Sequence, residues 1–168
     1  LDYFDMRKLF TTSLFITLLA AAVIGQSKFT TYDNDRFYFS IEYPSDVLKM
    51  QAPPANNDGR TFRSKDKTVE MRVWGQYNAL DRTLNEEYNE ALAGYGSGVT
   101  YKVLGESSFV ISGTAGGKIY YQKTMLRTGG AEVFYTFTIE YPKAQKSRFD
   151  RAVARIARSF KFDPDAQP

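Results

Sequence analysis

The stretch from Lys118 to Tyr141, KIYYQKTMLRTGGAEVFYTFTIEY, constrains what this chain can fold into more than any other. Two runs rich in β-branched and aromatic residues flank Gly129-Gly130. Consecutive glycines tolerate positive φ at both central positions, so the spacing predicts a hairpin closed by a two-residue primed turn. That turn sets Leu126 opposite Val133, Thr124 opposite Tyr135, Gln122 opposite Phe137 and Tyr120 opposite Ile139. It also places Arg127 against Glu132, while Ile119, Tyr121, Met125, Phe134 and Thr138 take the other face. Apolar residues on both faces imply a central hairpin covered on each side.

Composition enters through what it excludes. The chain has no Cys, hence no disulfide, thiol nucleophile or thiolate metal site. It has no His, which removes Ser-His-Asp and Cys-His catalysis and His-ligated zinc or haem. Carboxylate, Lys and Tyr chemistry stays open. A net charge of +3 over 168 residues falls far short of the basic density of a nucleic-acid binder. Hydrophobic residues at 43% supply a core, and thirteen Phe with twelve Tyr favour broad β surfaces over a helical bundle. A chain of this length buries enough surface to need neither metal nor bridge.

Residues 1–25 read as upstream residues followed by a secretory signal. Arg7 and Lys8 precede a mainly apolar run from Leu9 to Ile24, and small residues at Ala20-Ala21-Ala22 or Val23-Ile24-Gly25 offer two cleavage sites. The alternative is a membrane helix that stays attached. Sixteen residues are fewer than the ~20 that span a bilayer, so removal is the expectation. Residues 26–168 then form one domain, secreted or periplasmic.

Within that domain Ser27 to Asp35 is a polar lead-in. Phe37, Phe39, Ile41 and Tyr43 alternate along a strand that Pro44 stops. Met50 to Arg60 reads as a loop, Thr61 to Ser64 as a short strand, and Thr68 to Tyr77 as a strand with Val69, Met71, Val73 and Gly75 inward. Thr83-Leu84-Asn85-Glu86 has the spacing of a capping box and opens a helix over 83–95. Tyr101 to Leu104 and Glu106 to Ser112 predict further strands, joined to the hairpin by a flexible glycine-rich link over Gly113 to Gly117. After Pro142 the period changes: Phe149, Ala152, Val153, Ile156, Ala157 and Phe160 mark one face of a helix over 143–160.

Candidate surfaces are few. Arg148, Arg151, Arg155 and Arg158 recur on the outer side of the last helix and could meet an anionic partner, although late positive charge also complements the helix dipole. Trp74, Tyr77, Tyr120 and Tyr121 could line a small-ligand cleft, or simply pack in the core. Glu132 and Glu140 lack the controlled apposition of a paired-carboxylate hydrolase. No catalytic, cofactor or metal residue is assigned.

The order of these features resembles the PsbP-like superfamily. The resemblance rests on the aromatic strand ending Ile41-Glu42-Tyr43-Pro44, the 68–77 strand, the 83–95 helix, the long hairpin and the terminal helix ending Ser159-Phe160-Lys161-Phe162. That group includes extrinsic photosystem proteins, bacterial DcrB-like envelope proteins, secretion-effector chaperones and a Ran-binding import factor, with the DcrB-like proteins nearest in character. It implies an α+β fold, a central antiparallel sheet flanked by helices on both faces. It also implies a non-enzymatic accessory protein that binds or stabilises a protein partner and needs no cofactor. Small-ligand binding ranks second and a carboxylate-dependent hydrolase third. The lack of His counts against a photosystem role, and export against nuclear transport.

Overall fold

A computed structural model describes residues 28–166, so the expected signal segment lies outside the described residues. The chain runs β1 (Phe29–Asn34), β2 (Phe39–Pro44), β3 (Leu48–Met50), β4 (Gly59–Ser64), β5 (Glu70–Tyr77), α1 (Leu84–Tyr95), β6 (Val99–Leu104), β7 (Ser108–Ala115), β8 (Lys118–Arg127), β9 (Val133–Pro142), α2 (Lys146–Ser159) and β10 (Lys161–Phe162). Strands β3 to β9 make a seven-stranded antiparallel sheet in the order β3-β4-β5-β9-β8-β7-β6. A smaller antiparallel sheet, β1-β2-β10, lies beside α2. The predicted α+β sandwich is the observed one: helix α1 packs on one face of the large sheet, and α2 with the small sheet packs on the other.

Two cores follow from the two-residue period of the central strands. Odd-numbered residues of β8 and β9, among them Ile119, Val133, Tyr135, Phe137, Ile139 and Tyr141, meet Phe149, Val153, Ile156 and Phe160 of the α2 layer. Tyr141 stacks on Phe149 at 4.9 Å, and Phe137 meets Phe160 edge-on at 5.3 Å. Each of these buried rings and aliphatic chains contributes about 1.5–3 kcal/mol. Even-numbered Tyr120 and Phe134, with Phe109 and Ile111 of β7, form the smaller core under Leu84 of α1. Helix α1 begins where expected: the Thr83 side chain accepts from the Glu86 N–H while the Glu86 carboxylate accepts from the Thr83 N–H.

The hairpin register differs from the expectation by one residue. Five residues, Thr128 to Glu132, join the strands, and Arg127 lies opposite Val133, Leu126 opposite Phe134, Thr124 opposite Thr136 and Tyr120 opposite Glu140. Such a slip moves every side chain of one strand to the other face. Phe134 therefore shares a face with Tyr120 and Leu126, not with Ile119 and Tyr121. The cause is tertiary. Glu132 is drawn away from Arg127 by Asn78 at the end of β5, whose backbone N–H donates to the Glu132 carbonyl at 2.9 Å and whose side-chain amide donates to its carboxylate at 2.8 Å. Arg127 turns inward and is only 4% exposed.

A two-residue turn does exist, one hairpin earlier. Gly116 and Gly117 carry φ of 55° and 78° and set Ala115 opposite Lys118, so the expected flexible link is a tight β7–β8 turn. Strand β1 was hidden in the polar lead-in because only Tyr32 and Asn34 point inward. Strands β3 and β10 are too short for a periodic signal.

Candidate protein-binding surface

The large sheet is wider than the layer covering its α2 face. The core on that face draws no buried residue from β6 or β7. Alternation places Val110, Ser112 and Thr114 of β7 on this face beside Tyr121 and Ile119 of β8, with Tyr101 and Val103 of β6 beyond them. An open groove of about 470 Å³ runs between this overhang and α2, lined by Tyr101, Val110, Tyr121, Tyr141, Asp150 and Ala154 among others. The overhang ends at β6, where Tyr101 is 55% and Val103 47% exposed, and Leu104, 40% exposed, turns to the α1 side.

Strand β6 is also the free edge of the large sheet. Its hydrogen-bond phase follows from the Gly105 N–H, which donates to the Ser108 carbonyl at 2.9 Å. Antiparallel pairs alternate, so the backbones of Val103 and Tyr101 face β7, while those of Leu104 and Lys102 face outward with no strand partner among the described residues. The opposite edge, β3, is three residues long and runs into Pro53-Pro54, which cannot donate. Only Lys102 carries charge within β6.

The chemistry of the groove suits contact. Burial first, and the Asp150 charge beside it second, push the Tyr141 hydroxyl up to about 12. Burial and then the neighbouring Tyr101 raise Tyr121. Both shifts oppose the ionised form that a general base or nucleophile needs. Lys123 is lowered by burial, yet its ammonium donates to the Ala157 carbonyl near the end of α2 at 2.9 Å and serves there as a helix cap. Among the described residues no group of three or more His, Cys, Asp or Glu could hold a metal ion.

The four predicted pocket aromatics do not share one cleft. Trp74 and Tyr120 lie on the α1 face, and Tyr77 and Tyr121 on the α2 face. Tyr120 stacks on Tyr95 at 4.0 Å, and its hydroxyl is buried without a partner among the described residues. Trp74 donates to Gln76 at 3.3 Å, and Tyr77 packs on Phe37 at 5.2 Å. Of the four only Tyr121 lines the groove, where it stacks on Phe137 at 5.5 Å. Residue spacing gives a strand's two faces but not its neighbours, so the four could not be sorted beforehand.

All four arginines of the last helix are exposed. They are not equivalent. Arg155 forms an ion pair with Glu42 of β2, and its guanidinium lies over the Phe29 ring at 4.1 Å. Arg148 leans toward a shallow recess that also holds Asp46 and Asp66. Arg151 and Arg158 point away from the core. The β6 overhang was missed in the sequence because nothing local marks a strand as an edge; its one signal was apolar residues at both parities of Val99 to Leu104.

No protein-family model matches the chain, and no curated protein does. Solved structures do match in fold. The cyanobacterial PsbP protein CyanoP of Synechocystis aligns with a TM-score of 0.58 at 11% identity, over 87% of this chain and 99% of its own. The yeast Ran-binding protein Mog1p of Saccharomyces cerevisiae aligns with a TM-score of 0.50 at 11% identity, over 82% of this chain and 96% of its own. A Bacteroides thetaiotaomicron structure has a TM-score of 0.50 at 12% identity, and the match spans 82% of this chain but about half, 49%, of that one. At such identities the likeness shows the fold, a PsbP-like sandwich, and nothing finer.

Proposed function

We propose that this chain is a non-catalytic accessory protein of the cell exterior or periplasm that binds a protein partner along β6. The observation that carries the reading is an edge strand whose outward backbone has no partner among the described residues and whose Tyr101 and Val103 are exposed on the α2 face. An extended segment of a partner adds to such an edge through main-chain hydrogen bonds, and its alternate side chains rest on the apolar overhang. Large exposed apolar surface of this kind marks interaction sites. The Arg7-Lys8 start and apolar run in the sequence support export. The fold likeness to a yeast protein named for binding Ran supports a binding role.

A photo-crosslinking residue at Val103, compared with one at Asn89 on the opposite helix, tests the site in the protein's native envelope. The reading expects one dominant adduct from position 103 alone, abolished by Tyr101→Ser elsewhere on β6 while thermal unfolding is unchanged. Equal adducts from both positions, or an adduct indifferent to Tyr101→Ser, would refute it. The 470 Å³ groove favours a second reading, a small ligand held between β6–β8 and α2. A molecule copurifying with the protein and released by Tyr121→Ala would support that one.

A further inference from the structure

We infer that the outer face of α2 is a docking surface for an anionic lipid bilayer. Along the helix, Arg151 and Arg158 lie roughly opposite the buried stripe of Phe149, Val153 and Ile156. Neither forms an ion pair among the described residues. Their positive charge is part of a difference between the two helices. Helix α2 carries Lys146, Arg148, Arg151, Arg155 and Arg158 against a single acid, Asp150, whereas α1 on the far side carries Glu86, Glu87 and Glu90 and no base. A negative surface attracts α2 more than α1, whose Glu87 and Glu90 pair with Arg82, and this favours the orientation with α2 toward it.

On the alternative reading of the apolar run, a membrane helix that stays attached, the place where the chain enters the domain selects a bilayer as that surface. Strand β1 begins at Phe29, directly beneath the Arg155 guanidinium. In the sequence only Gly25 to Lys28 separate Phe29 from the apolar run that ends at Ile24. Four residues reach about 14 Å when extended. A membrane holding that run therefore lies within reach of Phe29 and of the Arg155 side of α2. Lys28 adds positive charge at the junction. Strand β6 turns its outward backbone groups to the lateral edge of the sheet but Tyr101 and Val103 to the α2 side, and the two inferences are tested by separate experiments.

The absence of Cys in the chain allows single nitroxide labels at Ser147→Cys, exposed on the outer side of α2, and at Asn89→Cys, exposed on α1. The full chain is bound to phosphatidylcholine vesicles with or without phosphatidylglycerol, and collision with a water-soluble paramagnetic reagent is measured. Docking predicts a several-fold fall in accessibility at position 147 on the anionic vesicles only, with position 89 unchanged. Raising salt to about 0.5 M restores accessibility by shortening the Debye length. Arg151→Gln with Arg158→Gln also restores it, and circular dichroism verifies that this variant remains folded. Equal accessibility of position 147 on both vesicle types, or protection that survives the double substitution, would overturn the inference. Capture of a soluble acidic protein by these two arginines, without any response to phosphatidylglycerol, would overturn it in favour of a protein site.

Discussion

Arg155 of α2 and Glu42 of β2 form a two-point ion pair, Nε to Oε2 at 2.7 Å and Nη2 to Oε1 at 2.9 Å. Two neighbouring contacts make this junction more than a surface pair. The Ser159 hydroxyl accepts from the Glu42 backbone N–H, and Phe29 of β1 stacks under the same guanidinium. One side chain thereby joins α2 to β1 and β2, the long antiparallel pair of the small sheet.

The hydrogen bond from Arg155 holds the Glu42 carboxyl below its usual value of 4.5. A carboxylate depressed in the folded state stabilises above its unfolded pKa, and that contribution disappears as pH falls through the folded value. Glu42→Gln should therefore be less stable than the parent at pH 7, and the difference should vanish in strong acid. Urea unfolding at both pH values measures it; a gap that persists or widens in acid would contradict the pairing.

Phe149 is buried against Tyr141 at the centre of the α2 layer. Phe149→Ala should cost about 3–5 kcal/mol, because the cavity adds to the lost transfer energy. Chemical denaturation reads this directly, and an unchanged midpoint would mean that α2 does not seal this core.

The hydroxyls of Thr124 and Thr136 meet at 2.9 Å inside the hairpin, both buried. Thr124→Val strands the partner hydroxyl and should cost about 1–3 kcal/mol. Replacing both by Val removes donor and acceptor together, so the double variant should be more stable than the sum of the singles. A double-mutant cycle with additive losses would argue against the observed register, because the register expected from sequence sets Thr124 against Tyr135.

Gly117 has φ of 78° and open space where a Cβ would stand. Gly117→Ala should cost about 1 kcal/mol from backbone conformation alone, without a steric component. Substituting Asn at Gly116, which suits a primed turn, should be close to neutral. Thermal unfolding of the two variants distinguishes a tight turn from the flexible link that the glycine-rich sequence suggested.

Much of the fold was legible wherever one element signals itself. The alternation of Phe39, Ile41 and Tyr43 marked β2, the Thr83–Glu86 box marked α1, and the three-to-four spacing of Phe149, Val153 and Ile156 marked α2. The two-sided apolar pattern of the hairpin correctly implied layers on both faces. The candidate site was far less legible. Arg148, Arg151, Arg155 and Arg158 read as one stripe, yet Glu42, more than a hundred residues earlier, engages Arg155 and leaves Arg151 and Arg158 outermost.

Periodicity and capping act over a turn of helix or a few residues of strand, so the amino-acid sequence by itself determined which segments are strands and helices and which side of each is apolar. Register, sheet order and edge depend on what lies alongside, and that is a long-range matter. Asn78 reset the Gly129-Gly130 loop from a distant strand, and the limited width of the α2 layer left Tyr101 and Val103 in solvent. Only the tertiary structure decided those, because a side chain's burial is settled by the neighbour that covers it.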